Sequence, residues 1–105
     1  MIRVNIKNNH IVITGHANYD DYGKDIVCAS VSSIVITSIN ACLRFDSQSL
    51  EYKEERDKLT IDIKSNTEDI KLIIENMIYM LEELAETYNK NIKIVKEEDR
   101  WISWS

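Results

Sequence analysis

Four short stretches of this 105-residue chain are rich in Ile, Val and Leu, and several of them alternate these residues with polar ones. A fifth stretch, residues 48–53, is joined to one of them by a charged turn. Successive side chains of a strand point to opposite faces of the sheet, so alternation of apolar and polar residues is typical of half-buried strands. The clearest case is residues 58–64, where every second residue is Leu or Ile. The predicted strands are residues 2–7, 11–15, 48–53, 58–64 and 91–96.

Two longer stretches have the spacing of helices. Residues 67–89 repeat apolar side chains every three or four positions, and Asn66 or Thr67 is the expected N-cap. Residues 26–43 are rich in Val and Ile, but they are too long without a turn to form an ordinary strand. Small polar residues recur in this stretch at intervals of three or four, which makes one stripe only on a helix. We therefore predict a second, mostly buried helix.

The order of these elements predicts a fold class. Short turns at Asn8-Asn9-His10 and at the charged residues 54–57 join strands into two hairpins. The first turn is indicated because Asn tolerates the left-handed backbone of tight turns. His10 is expected to be a solvated turn residue. The resulting ββαββαβ order indicates an α+β fold, with two helices packed on one mainly antiparallel sheet. The length fits a single domain over residues 1–105.

Charge and composition narrow the possible partners. The formal net charge of -5, with scattered basic residues, argues against a nucleic-acid-binding surface, since phosphate binding requires clustered Lys and Arg. A basic protein or peptide is the favoured partner. The first residues do not resemble a signal peptide, so we expect a cytoplasmic protein. Polar residues interrupt the apolar stretch 26–43, and we expect no membrane span.

The two glycines of the chain bracket its candidate chemistry. Gly15 and Gly23 enclose a short segment that begins with His16, and Cys28 follows soon after Gly23. Glycine allows positive φ values and close backbone approaches, so we expect a loop that brings the histidine and the cysteine together. A thiol and an imidazole in contact form a nucleophile and its base.

Helix geometry strengthens the candidacy of Cys28. If Asp25 is the N-cap, Cys28 lies in the first helical turn, where unpaired N–H groups and the helix dipole favour a thiolate. The same N–H groups can stabilise an oxyanion. Asp25 opposes the thiolate electrostatically, so it either holds the helix start or orients His16. Ser32, one turn further on, either hydrogen-bonds near the site or packs.

Simpler interpretations stay open at each of these positions. A cysteine in an apolar helix is commonly inert core filling, and packing also explains Cys42. The two cysteines lie fourteen positions apart, which is about 21 Å along a helix and too far for a disulfide. Two cysteines on one helix and two distant histidines do not make a zinc site, and we expect no metal or other cofactor. Tyr19 and Tyr22 either line a substrate groove or cover the loop.

The segment around these residues resembles a family signature. Gly15-His16-Ala17, then Gly23, then Asp25-Ile26-Val27-Cys28-Ala29 and finally Ser32 are similar in kind and spacing to the signature of the bacterial ribosomal-processing cysteine proteases, the Prp family. The ββαββαβ order is similar across nearly the whole chain.

This resemblance implies a function. It implies a homodimeric cysteine endopeptidase that removes a short N-terminal extension from a large-subunit ribosomal protein, number twenty-seven, during ribosome assembly. Cys28 would be the nucleophile and His16 the base, with Asp25 and Ser32 in support, and a loop over residues 17–24 would order over the peptide. The residues expected in the loop and around the substrate are Gly15, Ala17, Tyr19, Tyr22 and Gly23.

Two other classes of protein compete with this interpretation. A non-enzymatic ribosome-associated binding module could share the fold, with Cys28 only packing. A redox thiol protein is disfavoured because no second cysteine lies within reach of Cys28. The resemblance gives no role to the last residues, 97–105.

Overall fold

The structure, a computed structural model, describes residues 1–15 and 26–97. The described residues contain two helices and five strands in the predicted ββαββαβ order. The elements are β1 (Ile2–Lys7), β2 (His10–Thr14), α1 (Ile26–Phe45), β3 (Leu50–Glu55), β4 (Lys58–Ile63), α2 (Glu68–Thr87) and β5 (Ile92–Glu97).

The five strands form one sheet in the order β3-β4-β2-β1-β5. Three of the four pairings are antiparallel, whereas β1 and β5 are parallel. The prediction of an α+β fold with a mainly antiparallel sheet is confirmed. Because β3 and β5 are the two outermost strands of this order, each has a described neighbour on one side only.

Alternation along the strands builds the core. Val4 pairs with Ile13 and Ile6 with Ile11, so these side chains lie on one face of the sheet. The two helices contribute the other half of a continuous apolar cluster. Its fully buried members from the helices include Val27, Val35, Cys42, Ile70, Ile74, Met77 and Leu81.

Helix α1 is apolar, yet only one of its faces is buried. The predicted polar stripe is present: positions 33, 37 and 40 are exposed and position 30 is half-buried. Ser30 and Ser38 each donate a hydrogen bond to the carbonyl four residues earlier at 2.7 Å, so these hydroxyls are satisfied within the helix. By length and composition alone α1 is apolar enough to cross a membrane, contrary to our expectation from its polar residues. A core helix of a folded domain passes the same criterion, and α1 packs its Val27 side against the core.

Two local predictions need correction. The charged turn between β3 and β4 is shorter than residues 54–57, because Glu54 and Glu55 continue β3 and pair with Leu59 and Lys58. Asp57 supplies the left-handed residue of the turn, with φ of 61°. His10 is the first residue of β2 and not a turn residue, and its Nδ1 lies 2.5 Å from Oδ1 of Asp62.

Helix α2 begins as predicted, with one difference at its cap. Thr67 is the N-cap, but its side chain makes no capping hydrogen bond. Glu68 and Asp69 occupy the first turn, where the helix dipole favours negative charge. The helix ends at Thr87, and the backbone N–H of Tyr88 donates to the carbonyl of Leu84.

Candidate active site

Cys28 is the third residue of α1, so it lies in the first helical turn. The backbone N–H groups of a first turn have no acceptor inside the helix, and they carry the positive end of the helix dipole. The side chain is partly buried and packs against the edge of the core. This is the position in the helix that the sequence predicted.

A groove of about 410 Å³ opens beside Cys28, and we call it the Cys28 groove. Helix α1 forms one wall with Cys28, Ser32 and Ile36. The hairpin of β3 and β4 forms the opposite wall, and apolar side chains line the space between them. The other lining residues are Ile2, Ile13, Gly15, Val31, Val35, Glu54, Glu55, Asp57, Lys58 and Leu59.

Gly15 stands at one end of the groove, where only glycine fits. Its φ is 88°, and a Cβ added there would lie 2.3 Å from the carbonyl oxygen of Met1. The peptide plane of that carbonyl is held, since the N–H of Ile2 donates to the carbonyl of Asn91 at 2.8 Å. The N–H of Gly15 donates to the carbonyl of Asp57 at 3.1 Å. These contacts fix the end of β2 against the β3–β4 hairpin.

The groove therefore brings together three of the predicted site residues. Gly15, Cys28 and Ser32 all line it, and Ser32 is exposed one turn after the cysteine. The remaining candidates lie outside the described residues. They are His16, Ala17, Tyr19, Tyr22, Gly23 and Asp25.

The opposite wall of the groove does not follow from the sequence pattern. The pattern predicts a turn at Glu54, but this residue lies in β3 opposite Leu59, on the face of the sheet that carries the core. The signal for a longer strand is that Leu50, Tyr52 and Glu54 occupy alternate positions and so share one face. If the turn has only two residues, the strand continues to Glu55. The local sequence pattern therefore does not indicate that Glu54 and Glu55 belong to a wall of the groove.

Cys42 lies far from the groove, in the core. Its side chain is 0% exposed, and burial raises the pKa of its thiol because the charged thiolate is poorly solvated there. No disulfide joins it to Cys28. Within residues 1–15 and 26–97, no three His, Cys, Asp or Glu side chains are grouped to hold a metal ion.

Comparison with known proteins identifies the class of protein to which this chain and its fold belong. The family model described as Cysteine protease Prp matches residues 1–93. The chain belongs to the Prp family of cysteine proteases, which makes it an enzyme and disfavours the alternative of a non-enzymatic binding module.

Relatives named Ribosomal processing cysteine protease Prp support the same conclusion. The relative from Staphylococcus aureus is 31% identical over 91 residues, covering 84% of this chain and 86% of the relative. The relative from Mycoplasma genitalium is 30% identical over 99 residues, covering 92% of this chain and 97% of the relative.

Solved structures agree with the described fold. The crystal structure of the Prp protease from S. aureus with a covalently linked product peptide superposes with a TM-score of 0.86 at 29% identity. It covers 92% of this chain and 100% of that one. A structure of the same protease with a substrate peptide gives a TM-score of 0.81 at 28% identity, with 92% of this chain and 100% of that one covered.

Proposed function

We propose that this protein is an endopeptidase that removes a short N-terminal extension from the precursor of ribosomal protein number twenty-seven of the large subunit. The observation that carries the proposal is the placement of Cys28 in the first turn of α1, at the wall of a groove. A groove of about 410 Å³ is large enough to hold side chains of a peptide. The S. aureus relative has been solved with a substrate peptide and with a covalently linked product peptide.

The proposed mechanism begins with attack on the peptide carbonyl. His16 accepts the proton of the Cys28 thiol, and Sγ forms a bond to the carbonyl carbon. The carbonyl oxygen becomes an oxyanion, which the N–H groups of the first turn of α1 stabilise. Asp25 either holds the helix start or orients His16. Ser32 either hydrogen-bonds near the reacting groups or packs beside them.

Collapse of this intermediate releases the first product. The C–N bond breaks, and His16 returns its proton to the leaving amine, which is the new N-terminus of the ribosomal protein. The acyl group remains on Cys28 as a thioester. Water then attacks the thioester while His16 accepts its proton, and the carboxylic acid leaves as the thiol is restored. The reaction consumes one water molecule and requires no cofactor.

The charge of the protein supports a basic substrate. The chain carries a formal net charge of -5, and the Cys28 groove is lined by three acidic residues, Glu54, Glu55 and Asp57, against one basic residue, Lys58. Ribosomal proteins that contact rRNA need positive charge, so attraction between the two proteins favours their encounter. The segment 17–24 is proposed to order over the bound peptide, as the family resemblance implies.

The decisive experiment uses the precursor of that ribosomal protein from the same genome. Incubation with the protease should shorten the precursor at its N-terminus, and mass spectrometry of the product gives the cleavage site. Cys28→Ala serves as the inactive control, and Cys42→Ala serves as the matched control that removes the other thiol. An intact precursor after incubation with the wild-type protein would refute the proposed substrate.

We also propose that the protein is a cytoplasmic homodimer. Ribosome assembly places the substrate in the cytoplasm, and a domain of this size gains stability by burying apolar surface in a symmetric contact. Light scattering at micromolar concentration should give twice the 12.3 kDa mass of the chain. A species of 12.3 kDa alone would contradict the dimer.

A further inference from the structure

One edge of strand β3 has no neighbouring strand among the described residues, and this edge lies next to α1. The strand pairs with β4, and no other described strand pairs with its second edge. Leu50, Tyr52 and Glu54 lie on the helix-facing side, because they pair with Ile63, Ile61 and Leu59 of the core face. Leu50 is buried, whereas Tyr52 is 48% exposed and Glu54 is also exposed. The space between β3 and α1 therefore opens toward the end of the strand.

This space continues beyond the Cys28 groove. A second cavity of about 270 Å³ is lined by Ile36, Leu43 and Tyr52, among others, and Ile36 also lines the Cys28 groove. We call the two cavities together the α1–β3 groove. From Cys28 to Leu43 the helix rises about 22 Å at 1.5 Å per residue. An extended peptide of about six or seven residues spans that distance at 3.3 Å per residue.

The walls of the α1–β3 groove differ in chemistry along its length. In its middle, Ile36 and Tyr52 present apolar surface, and each is about half exposed (47% and 48%). Toward Cys28, Glu54 presents a carboxylate. The neighbouring carboxylates of β3 are paired: Glu51, on the other face, contacts Lys64 at 3.6 Å, and Glu55, which also lines the Cys28 groove, contacts Lys53 at 3.9 Å. Among residues 1–15 and 26–97, Glu54 forms no such ion pair.

We infer that the α1–β3 groove binds the substrate peptide as a strand added to the open edge of β3, with a Lys or Arg side chain of the peptide against Glu54. This inference rests on the proposed function, because it describes the substrate of the same site. An added strand pairs its backbone with the edge and directs alternate side chains to one face. Because Glu54 and Tyr52 are two positions apart, the peptide carries an apolar side chain two positions from the basic one. The apolar side chain packs between Tyr52 and Ile36.

A different role for Glu54 makes a different prediction. A charged residue that points inward on an edge strand also prevents edge-to-edge aggregation. In that role its replacement would increase self-association without changing which peptides bind. Peptide preference therefore separates substrate recognition from protection of the edge.

The test measures the binding of a positional-scanning library of fluorescent peptides to the Cys28→Ala protein, which cannot cleave them. We expect a preference for Lys or Arg at one position and for Leu, Ile or Phe two positions away. Replacing that Lys by Gln should weaken binding about two- to fivefold, as for an exposed ion pair. Glu54→Lys should reverse the charge preference to Asp or Glu at the same position, and Glu54→Gln should remove it.

Matched variants locate the effect in the groove. Glu51→Lys makes the same charge change on the opposite face of β3 and should leave both preferences unchanged. Ile36→Ser should remove the apolar preference, whereas Leu72→Ser, on the exposed side of α2, should not. An unchanged charge preference in the folded Glu54→Lys or Glu54→Gln protein would overturn the inference. If the peptide preferences hold but the wild-type protein leaves the ribosomal precursor intact, the proposed substrate is wrong and the groove assignment stands.

Discussion

The two ends of α1 carry the two cysteines of the chain in opposite surroundings. Cys28 lies in the first turn, partly buried, at the wall of a groove. Cys42 lies near the other end and is 0% exposed. The carbonyl of Cys42 accepts hydrogen bonds from the backbone N–H of Asp46 at 2.8 Å and from the hydroxyl of the buried Ser49 at 3.1 Å.

This contrast shows that position within one helix decides what a thiol can do. At the first turn, unpaired N–H groups and an adjacent groove provide conditions for a nucleophile and its substrate. Near the last turn, the core excludes water and raises the pKa of the Cys42 thiol, which keeps it protonated and inert. The same side chain is thus a candidate nucleophile at one end and a packing group at the other.

Removing each thiol in turn gives the largest expected difference between the two ends. Cys28→Ala should lower cleavage of the ribosomal precursor by a factor on the order of 10⁴ or more, because no other group replaces the nucleophile. His16→Ala should be almost as damaging, since the base and the nucleophile act as one unit. Cys42→Ala should retain wild-type kcat/KM. Full activity in Cys28→Ala, with its mass confirmed, would overturn the assignment of the site.

Gly15 lines the same groove as Cys28, and its backbone conformation is one that only glycine adopts without strain. Gly15→Ala should lower the free energy of unfolding by on the order of 2 kcal/mol, because the added Cβ combines positive φ with a clash against the held Met1 carbonyl. Urea unfolding measures the loss, and Ser47→Ala, an exposed position away from the groove, provides a control with little expected effect. Equal stability of Gly15→Ala and wild type would contradict the tight contact between residue 15 and Met1.

At the core end, the cost of losing the thiol is one of packing. Cys42→Ala should lower the free energy of unfolding by about 1 kcal/mol, because a small cavity replaces the sulfur. Iodoacetamide at neutral pH should label Cys28 and spare Cys42 in the folded protein, and both should react in denaturant. Both cysteines lie in one tryptic peptide, residues 25–44, so tandem mass spectrometry of its fragment ions locates the label. Labelling of Cys42 as fast as Cys28 in the folded state would show that the reagent reaches the Cys42 thiol at this end of α1.

The smallest expected effect is the contribution of the Cys42 thiol to the pH dependence of stability. The pKa of Cys42 lies above its ordinary value of 9.0 in the folded state, so the folded protein keeps a proton that the unfolded chain releases. This contribution to stability is fully present below the unfolded pKa and is lost as the pH rises toward the folded pKa. The Tm of the wild type should therefore fall more steeply above about pH 9 than that of Cys42→Ala. Parallel curves for the two proteins would show that the thiol does not contribute.

Local patterns in the sequence were sufficient for the type and order of the elements, but not for the end of β3 or the start of β2. Alternation defined the strands, and the spacing of small polar residues identified α1 as a helix despite its Val and Ile content. The turn after β1 followed from Asn8, whose φ is 55°, because Asn tolerates the left-handed region. The position of Cys28 in a first helical turn also followed from the sequence, since it depends only on where the helix begins.

The tertiary structure decided what these elements face. The parallel pairing of β1 with β5, and the position of β3 at an edge, join residues far apart in the chain and leave no local signal. The same holds for the contact of His10 with Asp62 and for Glu54 opposite α1. Sequence periodicity tells which side chains share a face of their own element. Which other element covers that face, and where a groove is left open, depends on packing of the whole domain.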